Sequence, residues 1–254
     1  MKRRFILTIF LALIALIIAL PVFAVSIEEE IDLGKKYNKE ILKEDKLYPN
    51  PTAQKELAAM GDALVKHVNR KQIPYTFQII ESKDLNAFAI PGGFVYFTSR
   101  LWNTMNKDEK EGVLAHEIIH CDQRHSIDAM LKHQKRRTIT GIILILTGAN
   151  ETITDVADVV NTLHELKYSR GDERQADEMG TALLAKAGMN PAGVLLSMRK
   201  IMRFQASNGG EQPKIFSSHP PTKERLDYLT QLLNKMGVPI PGENVASLRD
   251  TYQV

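Results

Sequence analysis

The chain of 254 residues contains a single cysteine, Cys121. No disulfide can form within it, so its stability has to come from a packed core and not from covalent staples. Cys121 directly follows a histidine of interest below and, on a helix, would point away from it; it reads as a small packing residue. Charge of one sign is also lacking. The 33 basic and 30 acidic residues include Lys2, Arg3 and Arg4 and no acid within residues 1–24, so the remainder carries 33 − 3 = 30 of each. A near-neutral body gives no electrostatic footprint for nucleic acid or an anionic membrane surface. Internal repeats and low-complexity tracts are absent too, which excludes solenoids and disordered tails as the main architecture. Long apolar runs are missing after residue 24: residues 138–148, centred on Ile142-Ile143-Leu144-Ile145-Leu146, are too few to cross a bilayer and read as a buried helix.

What is present starts with a targeting pattern. A basic Lys2-Arg3-Arg4 precedes an uncharged run from Phe5 to Leu20, then Pro21 and Val22-Phe23-Ala24. This is the layout of a secretory signal peptide; left uncleaved, it would tether the protein to the inner membrane. The absence of a cysteine after the run disfavours a lipoprotein. Three segments are expected: residues 1–24 as signal peptide or anchor, residues 25–240 as one folded domain and residues 241–254 as a loosely structured tail. An exported, periplasmic or extracytoplasmic location follows from this reading, with membrane association through the N-terminal segment alone.

Hydrophobic periodicity predicts helices over 27–45 and 52–70, the second opened by Pro51. Strands are predicted at 75–80, 87–90 and 94–98, with Pro91-Gly92-Gly93 as a turn, forming a small antiparallel sheet. Helices return at 107–124, with Asn106 as N-cap, and at 152–168, 172–187, 191–206 and 222–236. The fold class is therefore α+β and mostly helical. Trp102 is expected to anchor the turn after the sheet.

Within the helix at 107–124 lies His116-Glu117-Ile118-Ile119-His120. Residues four apart share a helix face, so both imidazoles can reach one cation. Glu117 sits beside the first ligand, placed to address a metal-bound water. Zinc lowers the pKa of such a water, and a carboxylate can then take its proton. Val113, Leu114, Ile118 and Ile119 make the helix apolar, which speaks against a solvated pair of histidines. A third ligand is required, with a fourth position left open. The segment 168–177 offers Glu173 as that ligand and Asp177, four residues on, as the acceptor that fixes a histidine tautomer; Ala176 and Gly180 are small enough for close helix approach. A metzincin pattern is excluded, because Gln123 and Ser126 occupy the places of its glycine and third histidine. His67, His133 and His164 stand at no defensible ligand spacing.

Together these residues resemble the HtpX and CAAX prenyl endopeptidase family of zinc metallopeptidases (peptidase family M48), in its soluble exported branch. The matching pieces are Asn86-Ala87-Phe88-Ala89-Ile90-Pro91-Gly92-Gly93, Leu114-Ala115-His116-Glu117 to His120 with Gln123-Arg124-His125, Tyr168-Ser169-Arg170 with Glu173 to Asp177, and Ser218-His219-Pro220-Pro221 to Glu224-Arg225. The resemblance implies a zincin-like (gluzincin) fold, one Zn2+ per chain on His116, His120 and Glu173, and Glu117 as catalytic base. Unfolded or misfolded envelope polypeptides are the partners it implies. Little chain follows Met236, so no helical-repeat domain is expected.

Softer assignments complete the picture. His219, on a loop stiffened by two prolines, is the leading donor to the developing oxyanion, ahead of Arg225 and Tyr168; its competing role is to fill the open metal position and keep a resting enzyme latent. An extended peptide is expected to add at the sheet edge formed by Asn86–Ile90, around Phe88. Two other classes of function stand beside the endopeptidase: a zinc-containing, chaperone-like binding protein, which the intact Glu117 argues against, and an aminopeptidase, for which no α-amine site is recognisable.

Overall fold

The computed structural model describes residues 25–133, 167–210 and 212–241. The N-terminal segment, the tail and the predicted helices at 138–148 and 152–168, all but its last two residues, lie outside them. Chain order is α1 (Ile27–Glu44), α2 (Pro51–Val65), β1 (Thr76–Ile80), β2 (Ala87–Ile90), a 3-10 turn (Pro91–Gly93), β3 (Phe94–Thr98), α3 (Ser99–Thr104), α4 (Lys107–Asp122), α5 (His125–His133), α6 (Arg170–Lys186), α7 (Gly193–Ser207), α8 (Ile215–Ser218) and α9 (Lys223–Lys235). No helix among the described residues is long and apolar enough to cross a membrane.

Local signals set most of the boundaries. Ser26, Asn106 and Ser169 each cap a helix through the side chain and are answered by an acid three residues on, Glu29, Glu109 and Asp172, in reciprocal capping boxes. α2 stops at Val65, short of the predicted residue 70. The backbone N–H groups of Asn69 and Arg70 donate instead to Asp122 Oδ1, at 3.0 and 2.8 Å, and so leave the helix pattern.

The sheet is mixed and not antiparallel throughout, with strand order β1-β3-β2. β2 and β3 form the expected antiparallel hairpin around Pro91-Gly92-Gly93, with Ile90 opposite Phe94. β1 instead pairs with β3 in parallel, Thr76 opposite Phe94 and Ile80 opposite Thr98. The reason lies in β3, which is buried along its whole length. Val95 and Phe97 face the main core, while Phe94 and Tyr96 face a second cluster under α1. A strand apolar on both faces belongs in the middle of a sheet, so β3 separates β1 from β2 and leaves β2 at one end of the order. Trp102 is buried after β3, edge-on to Phe97 at 6.0 Å between centroids.

α4 is the axis of the molecule. Every residue from Glu111 to Asp122 is buried, as expected for a helix wrapped by neighbours on all sides. Two of those neighbours come close because small residues let them. A Cβ on Gly112 would stand 2.1 Å from the backbone oxygen of Gly193 on α7. One on Gly180 of α6 would meet the backbone of Ala115 and His116 at 3.4 Å.

The exit of α4 is fastened from the other side. Glu30 of α1 is 1% exposed and holds two arginines. Arg70 reaches it through Nη1 at 3.1 Å and Nη2 at 2.7 Å, and Arg124 Nε stands 3.0 Å from it. Arg70 Nη1 also donates to the Cys121 carbonyl at 2.9 Å. Arg124 has φ 62°, a left-handed conformation rare for a side chain with Cβ. α4 ends at Asp122, two residues short of the helix expected at 107–124, and Arg124 turns the chain so that α5 starts in a new direction at His125.

Gly112→Ala is expected to destabilise the protein by about 1–3 kcal/mol, because a methyl against backbone cannot be accommodated by a rotamer change. Gly171→Ala, whose methyl would meet only Ser169 Oγ at 3.6 Å, is expected to stay within about 0.5 kcal/mol of wild type. Thermal melts of the two variants side by side check this.

Candidate metal centre

Four buried side chains converge in front of α4. One ligand-type atom each from His116, His120, Glu173 and His219 lies within 4.8 Å of every other. His116 Nε2 is 3.1 Å from His120 Nε2 and 3.2 Å from His219 Nδ1. Glu173 Oε1 is 2.8 Å from His219 Nδ1 and 3.5 Å from His120 Nε2, and its Oε2 is 3.7 Å from His116 Nε2. The two histidines of α4 owe their common face to helical spacing. Glu173 comes from the first turn of α6, which the small residues at 176 and 180 let lie against α4. His219 follows the short α8, whose Ile215 N–H donates to the Leu85 carbonyl just before β2 at 3.1 Å.

Further groups back this cluster. Asp177 Oδ1 stands 3.0 Å from His116 Nδ1. Arg225 of α9 grips Asp177 with Nε and Nη2, both at 2.8 Å, and places Nη1 at 2.7 Å from Glu173 Oε2. The Tyr228 hydroxyl donates to Asp177 as well. The Tyr168 ring lies over His120, centroids 4.0 Å apart, and stacks on His219 at 5.1 Å. On the remaining ring nitrogen of His120 stands His125 Nδ1, at 3.0 Å.

Electrostatics favour a cation here. Burial holds the His120 imidazole well below its ordinary value, which keeps it neutral with a lone pair to offer. Burial alone would raise the Glu173 carboxyl, but His219, Arg225 and hydrogen bonds from His120 and His219 outweigh it and hold the group well below the carboxylate range. Asp177 is pulled down to about 2 against its burial, chiefly by Arg225 and by His116. Both carboxylates are therefore ionised at any physiological pH. Burial also pushes His219 down, yet the neighbouring Glu173 and Glu117 charges more than offset it and favour the charged ring.

The residues present fit a metal ion by two observations. Three imidazole nitrogens and a carboxylate crowd together at distances that one cation satisfies better than shared protons. Next to them, Glu117 is 0% exposed and neither of its oxygens accepts a hydrogen bond from a described residue; His219 Nε2 stands 3.5 Å from Oε1. A carboxylate buried without partners is costly unless a further group, such as a water or substrate held at the centre, completes its shell.

The guanidinium of Arg225 binds Asp177, Glu173 and the Pro220 carbonyl, and Arg225 also lines the opening beside His116, Glu117 and His219. The Phe88 ring stacks on Tyr96 at 4.9 Å in the cluster under α1, and Asn86 is buried beside it with its N–H donating to Thr98 Oγ1 at 3.1 Å. His125 and Gln175, which touch one another and His120 in sequence, were not legible as neighbours of the site: the turn at Arg124 has no spacing rule. Nor was a cavity of about 40 Å3 that opens beside His116, Glu117 and His219, walled mainly by Val113, Val194, Met198, Ile201, Ile215 and Phe216, with Ser197 and Arg225 at its edge.

The comparisons with known proteins agree with this geometry. Residues 51–233 match peptidase family M48. The chain is 28% identical over 221 residues to a beta-barrel assembly-enhancing protease of Yersinia pestis, covering 83% of this chain and 45% of that relative. It is 30% identical to the metalloprotease YcaL of Escherichia coli, covering 69% and 68% of the two chains, and 25% identical to the metalloprotease LoiP of the same organism, covering 74% of each. The chain thus spans less than half the length of the first of these and about two thirds to three quarters of the other two. All four sequence segments that carry the resemblance lie within the matched residues 51–233, and the chain belongs to peptidase family M48.

Proposed function

We propose that the protein is a zinc-dependent endopeptidase acting on unfolded or misfolded polypeptides of the cell envelope. The observation that carries this reading is Glu117, buried and without a hydrogen-bond partner among the described residues, beside the donor set of His116, His120 and Glu173. A purely structural metal site has no use for a free carboxylate there. The nitrogen and carboxylate ligands suit zinc, which when bound supplies Lewis acidity toward the scissile carbonyl and acidifies water. Glu117 takes the proton of the attacking water and delivers it to the departing amine. Burial keeps His120 neutral for ligation, and Asp177, itself held ionised chiefly by Arg225, stands 3.0 Å from His116 Nδ1.

His219 is best read as the latch of a resting enzyme. Its Nδ1 lies among the ligand atoms, making a four-donor set, whereas catalytic sites keep one position open. Movement of the loop at 218–221 would vacate that position. The oxyanion role would instead fall to Nε2, which stands 3.5 Å from Glu117 Oε1 and has no hydrogen-bond partner among the described residues; Nδ1 faces the donor set.

The apolar cavity supports the substrate class. A pocket of this mainly apolar composition beside the reacting centre favours an apolar side chain. Folded proteins bury such side chains, so a chain that presents them is an unfolded one. β2, at the end of the strand order, suits pairing with an extended substrate, and the buried Asn86 Oδ1 has no partner among the described residues. The basic and apolar layout of residues 1–24 supports export, and the name carried by the Yersinia relative is in keeping with an envelope role.

Three outcomes are expected. Glu117→Gln should retain the metal, measured by elemental analysis, yet lose casein cleavage by about 100-fold or more; full client protection with no loss of activity in any assay would favour the binding-protein alternative. His219→Ala should raise cleavage, whereas a fall of about 100-fold would assign it to the oxyanion. Val194→Phe, which fills the cavity, should lower cleavage next to Leu or Phe relative to Ala by about 10-fold or more, as read from peptide libraries, at unchanged metal content.

A further inference from the structure

We infer that His125 is a positioning residue of the metal centre: with Gln175, Gln123 and Asp122 it forms a one-way hydrogen-bond relay that forces the proton of His120 onto Nδ1 and leaves Nε2 bare toward the ion. The inference rests on the metal-centre reading above, and it concerns how the ligand is prepared, a question separate from what the centre hydrolyses.

The direction of the relay follows from its fixed end. Asp122 is 3% exposed, and its Oδ1 accepts the backbone N–H groups of Asn69 and Arg70 at 3.0 and 2.8 Å. Its Oδ2 accepts from Asn69 Nδ2 at 3.1 Å and Gln123 Nε2 at 2.9 Å. A carboxylate so held only accepts, which orients the Gln123 amide with its nitrogen toward Asp122. Gln123 Oε1 must then accept, and it does so from Gln175 Nε2 at 3.0 Å. Gln175 is oriented in turn, and its Oε1 stands 2.9 Å from His125 Nε2, so that nitrogen carries the His125 proton. A neutral imidazole has one donor and one acceptor; His125 Nδ1 is therefore bare. It faces His120 Nδ1 at 3.0 Å, which consequently donates. The His120 lone pair is left on Nε2, among the other ligand atoms.

Run the other way, the same five groups would place a proton on His120 Nε2, pointing into the donor cluster and blocking ligation. The two histidines of α4 thus receive different backing. His116 leans on the ionised Asp177, while His120 leans on the His125 ring, whose orientation is inherited from a carboxylate three groups away. Gln175 is exposed and Gln123 partly so, so water competes at the middle link, whereas the His125–His120 contact is buried. The largest effect is expected at His125 and a smaller one at Gln175.

The test uses full-length protein with 15N-labelled histidine. In the metal-free protein, two-bond nitrogen–proton spectra are expected to show His120 as the Nδ1–H tautomer and His125 as Nε2–H. His125→Ala should weaken zinc binding, measured by chelator competition, by about 10–100-fold, with Gln175→Leu weakening it less. His125→Gln, whose amide can accept from His120 and donate to Gln175, should recover much of the loss, which separates positioning from a general packing defect; melting curves confirm that each variant is folded. An Nε2–H tautomer at His120, or wild-type zinc affinity in a folded His125→Ala, overturns the inference. A wild-type protein that binds no zinc would instead sink the metal-centre reading, and the tautomer measurement would still decide the direction of the relay.

Discussion

A carboxylate on one helix can share an ion with two imidazoles on another only if the two backbones nearly touch. That constraint governs this molecule. α4 supplies the imidazoles and α6 the carboxylate, and the approach is set by residues with little or no side chain, Gly180 over Ala115 and His116 and Gly112 against Gly193. A helix approached so closely by α6 and α7 has no solvent face, which explains why α4 is apolar wherever it is not chemical. Its buried polar residues are the ligands, the base and Asp122, together with Glu109 and Glu111.

Burying this many ionisable groups is unfavourable unless each is matched. The match is arranged in layers. Arg225 bridges Asp177 and Glu173, so a single cation holds the ligand carboxylate and the carboxylate behind His116. Tyr168 covers the imidazoles with an apolar face, its phenol raised well above the ordinary value chiefly by burial and then by the Glu117 charge. Glu117 has only the His219 ring nearby, 3.5 Å from Oε1, and accepts no hydrogen bond from a described residue, so the site's chemistry is concentrated on it.

How much of this was legible in the sequence depended on the range of the interaction. Helical spacing revealed that His116 and His120 share a face, and that Glu173 and Asp177 do, because a four-residue repeat is a local property of the backbone. Capping at Asn106 and the hairpin at 91–93 are local as well. The parallel partner of β1 was not legible, since alternation tells which residues are buried and not which strand lies alongside. His125 escaped because it reaches His120 through a left-handed turn at Arg124, a conformation that the residue type there does not announce. His219 was legible as a residue of interest only through its resemblance, and its place among the ligand atoms depends on a loop anchored far away at Leu85. The second helix fell short of its predicted end for a similar reason, the capture of two backbone donors by Asp122 from α4.

Glu30 gathers Arg70 and Arg124 at one point, and Arg124 also donates from Nη2 to the Val25 carbonyl. The beginning of α1 is therefore fastened to the hinge between α4 and α5, the same hinge that carries His125 to His120. Mechanical load entering along the chain from its N-terminal side is borne first by that bolt and not by α1 as a separate strut. The start of α1 and the ligand helix share one fixing.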